Sequence, residues 1–229
     1  MYLYELHSHT SEGSKCAHIS AAELVKFYHG LGFDGICITD HFLNGNTTAP
    51  RYLSYKKRIE KFMQGYLNAK EAGEKLGIKV FFGWEYGHGG MDLLTYGLDE
   101  KWLLENPQIM DISVSEYCLL VRECGGFIVH AHPFREAAYI DHIRLFPRHV
   151  DAVETFNASR TDFENQMAEN YARSYGLTPF GASDNHTGEK PCIGAMAFEE
   201  QKNSIEEIIT GIKENKAKIE KLYFDSENK

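Results

Sequence analysis

Residues 1–10 read MYLYELHSHT. The β-prone run Tyr2–Leu6 predicts a strand that ends on His7-Ser8-His9. In an extended chain, residues i and i+2 project from the same face, so both imidazoles can reach one metal ion. A spacing this simple also arises by chance. Its weight comes from what recurs further along the chain.

The pattern of a short apolar run followed by His or a carboxylate returns four times. Gly35–Thr39 leads to Asp40-His41, and Lys79–Gly83 leads to Glu85. Gly126–Val129 leads to His130-Ala131-His132-Pro133, and Thr178–Gly181 leads to Asp184-Asn185-His186. Six of the eleven histidines fall at these positions. Ordinary helix caps would favour Ser, Thr and Asn over His. α/β barrels carry their chemistry at the C-terminal ends of their strands, where this pattern places it.

Amphipathic stretches separate the runs. Helices are predicted over Ala21–Leu31, Tyr52–Leu76, Val114–Cys124, Asp162–Tyr175 and Ile205–Asn215, with further strands over Leu93–Tyr96 and Ala152–Thr155. Ser20 with Glu23 forms a capping-box pattern. Gly32, Gly77 and Gly176 follow three of the helices, where a left-handed cap favours glycine. Alternating strands and helices predict an α/β fold with a mainly parallel sheet, open or closed into a barrel. No repeat or linker divides residues 1–229, which read as one domain, with the Lys/Glu-rich tail over about 216–229 helical or frayed.

Composition narrows the function. With 43% hydrophobic and 25% charged residues the chain can bury a sizeable core. A net charge of −9 argues against long nucleic acid as a partner. It leaves a phosphorylated substrate open, because a bound metal reverses the local field. The five cysteines form no CxxC pair, and MYLYELHSHT lacks a secretory signal, so a cytoplasmic protein with reduced thiols is expected. No apolar run approaches the roughly 20 residues of a membrane span. The sequence leaves the oligomeric state open.

Imidazole mixed with carboxylate suits Zn, Mn or Fe better than Ca or Mg. There are more candidate ligands than one tetrahedral ion uses, and Glu85 is the candidate to be shared between two ions.

The ordered set His7-Ser8-His9-Thr10, Thr39-Asp40-His41, Gly83-Trp84-Glu85, His132-Pro133 and Ser183-Asp184-Asn185-His186 resembles the PHP (polymerase and histidinol phosphatase) family of metal-dependent phosphoesterases. The resemblance implies a distorted (β/α)7 TIM-like barrel with two or three divalent ions in its mouth. It implies one ion on His7, His9, Glu85 and Asp184. A second would share Glu85 and add His132, and a third would use His41 and His186. After the HxH the family has a further Asp or His, and here Glu12 and His18 are rival candidates. Where some members supply a His after a later strand, this chain has Asn157, a weaker ligand or a substrate contact.

Arg135 and Arg160 are candidates to clamp a phosphate and neutralise its charge. His88, in the Gly-rich stretch after Glu85, is a candidate substrate contact. Asp40 reads as orienting a neighbouring His, and His130 as a core histidine ahead of a group that orients a ligand. The expected reaction is hydrolysis of a small phosphomonoester, a nucleotide or a short oligonucleotide by metal-activated water, with Glu85, Asp184, Arg135 and Arg160 at its centre. The alternatives are C–N bond hydrolysis of the amidohydrolase type and a non-catalytic metal-binding regulatory domain.

Overall fold

A computed structural model describes residues 1–189 and 191–224. Its strands are β1 (Tyr2–Glu5), β2 (Gly35–Ile38), β3 (Lys79–His88), β4 (Met91–Tyr96), β5 (Phe127–Ala131), β6 (Ala152–Asn157), β7 (Thr178–Ala182), β8 (Cys192–Phe198) and β9 (Ala217–Tyr223). Its α-helices are α1 (Ala21–Gly30), α2 (Tyr55–Phe62), α3 (Gln64–Leu76), α4 (Glu100–Glu105), α5 (Val114–Glu123), α6 (Asp162–Tyr175) and α7 (Ile205–Lys213). The sheet runs in the order β7-β6-β5-β4-β3-β2-β1-β8-β9.

This is an α/β fold whose sheet curls into a nearly closed barrel. The chain beyond β7 bridges in parallel to the chain beyond β1 at Ser8 and Asn185, with His9 N donating to Asn185 O at 2.9 Å. Buried Glu5 adds a side-chain tie, accepting from Ser183 N at 3.1 Å and His7 N at 2.9 Å. Gly194 in β8 lies so close to the Ala182 carbonyl that no Cβ would fit. Residues following β1 and β7 therefore face one another across the mouth.

Among the described residues the strands do not follow seven regular β/α repeats. β1–β2–β3 and β5–β6–β7 are parallel, but β3–β4–β5 is an antiparallel meander and β8 and β9 are antiparallel. The two-residue loop Gly89-Gly90 turns β3 into β4 with φ of 55° and 88°. Hairpins this tight need positive φ, which glycine adopts without penalty. β3 therefore continues through Glu85 to His88.

Two other expectations are corrected. The predicted helix Tyr52–Leu76 is two helices broken at Met63. The break seats Gly65 against Asp40 and Thr10, where a Cβ would collide with both side chains. The tail is β9 and not a helix, pairing with β8 from Ala217 to Tyr223. Ala217 and Ile219 pack from one face and Leu222 from the other, while Lys218, Glu220 and Lys221 suit an edge strand guarded by charge. Positions 225–229 of that tail lie outside the described residues.

The capping box at Ser20/Glu23 forms as expected, and Gly32, Gly77 and Gly176 are left-handed with φ of 79°, 79° and 64°. The interior is packed by Trp84, Tyr86, Tyr117 and Phe42 on one side of the sheet and by Tyr4, Phe180 and Phe198 on another. Among the described residues, no helix is long and apolar enough to cross a membrane.

Candidate active site

Six strands deliver the polar cluster. His7 and His9 follow β1, His41 follows β2, and Glu85 lies in β3. His132 follows β5, Glu154 lies in β6, and Asp184 and His186 follow β7. Two carboxylates sit at the centre. Glu85 Oε1 is 3.1 Å from His132 Nε2 and 3.6 Å from His7 Nε2, and Oε2 is 2.7 Å from His41 Nδ1 and 3.4 Å from His9 Nε2. Asp184 Oδ1 is 3.5 Å from His7 Nε2 and 3.4 Å from both His9 Nε2 and His186 Nδ1.

These donors form three groups, each with its atoms within 4.8 Å of one another: His7–His9–Asp184, His7–Glu85–His132 and His9–His41–His186. Whether they suit divalent ions is decided by hydrogen bonding. His7 Nε2 and His9 Nε2 are buried and have no hydrogen-bond partner, while His41 Nδ1 and Glu85 Oε2 have only each other, as an ion pair at 2.7 Å. Leaving two buried imidazole nitrogens unpaired would cost about 1–3 kcal/mol each. They converge on shared space, as ligands of cations do, so the residues fit divalent metal ions.

The opposite sides of the rings are tied down in the way metal-binding histidines require. His7 Nδ1 meets Glu154 Oε1 at 2.8 Å, which makes Nδ1 the protonated nitrogen and leaves the Nε2 lone pair inward. The other Glu154 oxygen accepts from His132 N at 2.8 Å and Asn157 Nδ2 at 2.9 Å. Ser14 Oγ donates its one proton to Asp40 Oδ1 at 2.7 Å and so accepts from His41 N and from His9 Nδ1, both at 3.0 Å. His9 Nε2 is thereby also left free to bind. Thr10 completes the hold on Asp40, donating from N and Oγ1 at 2.7 and 2.6 Å. Asp40 orients His9 through Ser14 and is not part of the donor groups.

The backbone is strained at this spot. His132 has φ of 25° and Asp184 φ of 52°, values that non-glycine residues rarely adopt. The electrostatics agree with a cation-binding cluster. Burial alone would raise Glu85 and Asp184, but His41, His132 and His7 around the first and His7, His9 and His132 around the second hold both carboxyls well below their usual range. Burial would lower His7 and His41; Glu154 and Asp184 reverse this for His7, and Glu85 with Cys16 for His41, so both are raised well above the usual value. For His9, burial and the neighbouring His186 and His41 act together and lower it well below. Burial also lifts Glu5, behind the cluster, to about 7.

A cavity of about 530 Å³ opens over the cluster. Its walls include Glu85, Asp184, His41 and His186 together with Asn44, His88, Asp92, Arg135, Tyr139 and Arg160. Both arginines predicted from the sequence therefore share one chamber with the carboxylates. Arg135 Nη2 is held by Asp92 Oδ2 at 2.8 Å and lies over the Tyr139 ring. Arg160 Nε has no hydrogen-bond partner.

Three predicted residues are placed elsewhere. Glu12 turns to the start of α1, where its carboxylate accepts from Ala21 N at 3.0 Å and from Asn68. His18 is exposed and joins none of the donor groups. Asn157 is buried with its amide committed to Glu154 and Ser159 N, and it does not line the cavity. His130 is fully buried with its ring edge-on to Tyr171, a core position.

Sequence reasoning missed Glu154 and Ser14. Glu154 had a signal, a carboxylate inside the predicted strand Ala152–Thr155. Ser14 had none, because the loop from Thr10 to Ser20 has no period to show which side chains turn inward.

The family model of the PHP domain matches residues 5–222. The chain belongs to the PHP domain family. Solved structures agree on the fold. A two-domain protein of Bacteroides vulgatus ATCC 8482, described as containing a predicted PHP-like metal-dependent phosphoesterase, superposes with a TM-score of 0.72 at 16% identity. That match covers 96% of this chain and 64% of the other, so this PHP domain spans somewhat under two thirds of that relative's length. A candidate metal-dependent phosphoesterase from Bifidobacterium adolescentis ATCC 15703 gives 0.58 at 14% identity, covering 90% of this chain and 94% of the other. An amidohydrolase from Chromobacterium violaceum, with bound sulfate and no metal, gives 0.54 at 15%, covering 80% and 87%. No curated protein matches the sequence.

Proposed function

We propose that this PHP domain is a metal-dependent phosphoesterase acting on a small phosphomonoester, a nucleotide or a short oligonucleotide. The observation that carries this reading is the shared chamber, in which Arg135 and Arg160 stand beside the Glu85–Asp184 cluster. Divalent ions, when bound, supply an activated water and a positive field for the phosphoryl oxygens.

The chain's own residues do the rest. His7, His9, His132, His41 and His186 with Glu85 and Asp184 hold the ions, two or three in number and drawn from Zn, Mn or Fe. Glu85, reaching four imidazoles through its two oxygens, is the shared ligand. Arg160 binds non-bridging phosphoryl oxygens, and Arg135, half-neutralised by Asp92, shapes the pocket around them. His88, at the exposed end of β3, contacts the remainder of the substrate. A chamber of about 530 Å³ suits a small ligand. It lies in an acidic chain, which disfavours long nucleic acid as substrate.

The Chromobacterium violaceum neighbour raises C–N hydrolysis as the rival reading. Such sites use a lysine ligand at a strand end, and no lysine lines this chamber among the described residues. Assays of metal-restored protein on a phosphoester panel and on cyclic amides test the choice. Phosphate release with no amide cleavage is expected, and the converse would overturn it.

A further inference from the structure

A carboxylate of the chamber wall is only half used. Asp92 lies in β4 between two small neighbours, Gly87 of β3 and Ala131 of β5. One of its oxygens, Oδ2, holds Arg135 Nη2 at 2.8 Å. The other, Oδ1, has no hydrogen-bond partner among the described residues, and it is not sealed from solvent. The Asp92 side chain keeps 11% of its surface exposed and lines the chamber, so Oδ1 is open to it. The fold makes room for this oxygen: a Cβ on Gly87 would stand 3.1 Å from Oδ1 and crowd it. An ionised carboxylate oxygen can only accept, so its partner in a filled chamber is a donor on the ligand.

The same pair sets the two arginines apart. Asp92 offsets the charge of Arg135, whose guanidinium also lies over the Tyr139 ring at 5.8 Å. Arg160 Nε is unpaired, which leaves that guanidinium for a phosphoryl group. The Asp92–Arg135 pair is neutral as a whole, so this wall suits an uncharged donor. A second anion would meet Oδ1, and a cation would meet Arg135.

We propose that Asp92 is a specificity-determining residue, accepting through Oδ1 a hydrogen bond from a hydroxyl on the alcohol portion of the substrate. The inference rests on the phosphoesterase reading and narrows it to monophosphates of polyhydroxylated alcohols. An ester without that hydroxyl leaves the carboxylate oxygen unmet as the chamber fills, and is disfavoured for that reason. An ester with a second phosphate at this wall is turned away by the same oxygen.

The test uses the full-length, metal-restored chain and three esters built on a six-membered ring. Glucose 6-phosphate offers hydroxyls, cyclohexylmethyl phosphate offers none, and glucose 1,6-bisphosphate adds a second phosphate. The wild type should favour glucose 6-phosphate over each of the others by about 10–100-fold in kcat/KM, the range of one hydrogen bond to a charged group. In Asp92→Asn the amide oxygen takes Arg135 and its NH2 group faces the chamber as a donor. The ratio of glucose 6-phosphate to cyclohexylmethyl phosphate should then collapse to near one, and selectivity should shift toward the bisphosphate, with metal content unchanged by elemental analysis. A wild type that hydrolyses glucose 6-phosphate no faster than cyclohexylmethyl phosphate would overturn the role of Asp92 and leave the phosphoesterase reading standing. So would an Asp92→Asn variant whose rates on all three esters fall by one common factor, since Asp92 would then only brace Arg135. A metal-replete wild type that releases no phosphate from these or from a broad ester panel would overturn both.

Discussion

His7 and Glu154 are joined by a 2.8 Å hydrogen bond between side chains that are both fully buried. The bond fixes which nitrogen of His7 carries the proton. Through its second oxygen Glu154 also fixes the backbone of His132, a residue from the opposite side of the cluster. Glu154→Gln keeps the volume and removes the charge. We expect metal affinity to fall about 10–100-fold, measured by competition with a chromogenic chelator. Unchanged affinity would mean that the carboxylate is structural only.

Ser14 joins Asp40 to His9 and to the His41 backbone. Ser14→Ala strips one donor from buried Asp40 and the acceptor from His9 Nδ1–H. Chemical denaturation should find a loss of about 1–3 kcal/mol, together with weaker metal binding. A variant as stable and as metal-avid as the wild type would remove Ser14 from the account.

Gly65 sits in the first turn of α3, where alanine would ordinarily stabilise by about 1 kcal/mol. A Cβ here would instead strike Asp40 and Thr10. Gly65→Ala should therefore destabilise by about 1–3 kcal/mol. A rise in the thermal midpoint would contradict the seating of α3 against Asp40.

Metal uptake should release protons. In the metal-free protein His7 and His41 hold protons more tightly than an ordinary histidine, whereas His9 is held neutral. An incoming ion needs the lone pair that the proton occupies. Affinity should therefore rise as pH rises through the elevated range of His7 and His41, and fall below it. Titration in weakly buffered solution reads the released protons directly. Binding that is independent of pH between 6 and 8 (roughly the range in which histidine titrates) would contradict this ligand set.

Much of the site was legible because strand ends are a simple grammar. An apolar run followed by His or Asp marks a position on a barrel rim, and His7, His41, His132 and Asp184 all obeyed it. Glu85 was legible although the predicted strand Lys79–Gly83 stops before it, whereas β3 runs on to the Gly89-Gly90 hairpin. β8 and β9 escaped for different reasons. The small residues Gly194 and Ala195 blurred the apolar signal of one, and the Lys/Glu content of the other resembled a solvated helix. Glu12 and Asn157 illustrate a further limit. Polar residues near a site in sequence can be drawn off by a local duty, a helix start for Glu12 and Ser159 N for Asn157. Ser14 shows the reverse, a loop residue placed by tertiary hydrogen bonds that no periodicity announces.

The central claim is that the Glu85–Asp184 cluster and Arg160 hydrolyse phosphoesters. Its most direct test is phosphate release by purified protein restored with zinc, manganese or iron, compared across the wild type, Asp184→Asn and Arg160→Ala. The account predicts metal-dependent release, loss of metal and activity in Asp184→Asn, and a fall of about 10²-fold in kcat/KM for Arg160→Ala with metal content unchanged. A metal-replete wild type that releases no phosphate from any ester in the panel, or an Asp184→Asn variant that retains full activity, would contradict it.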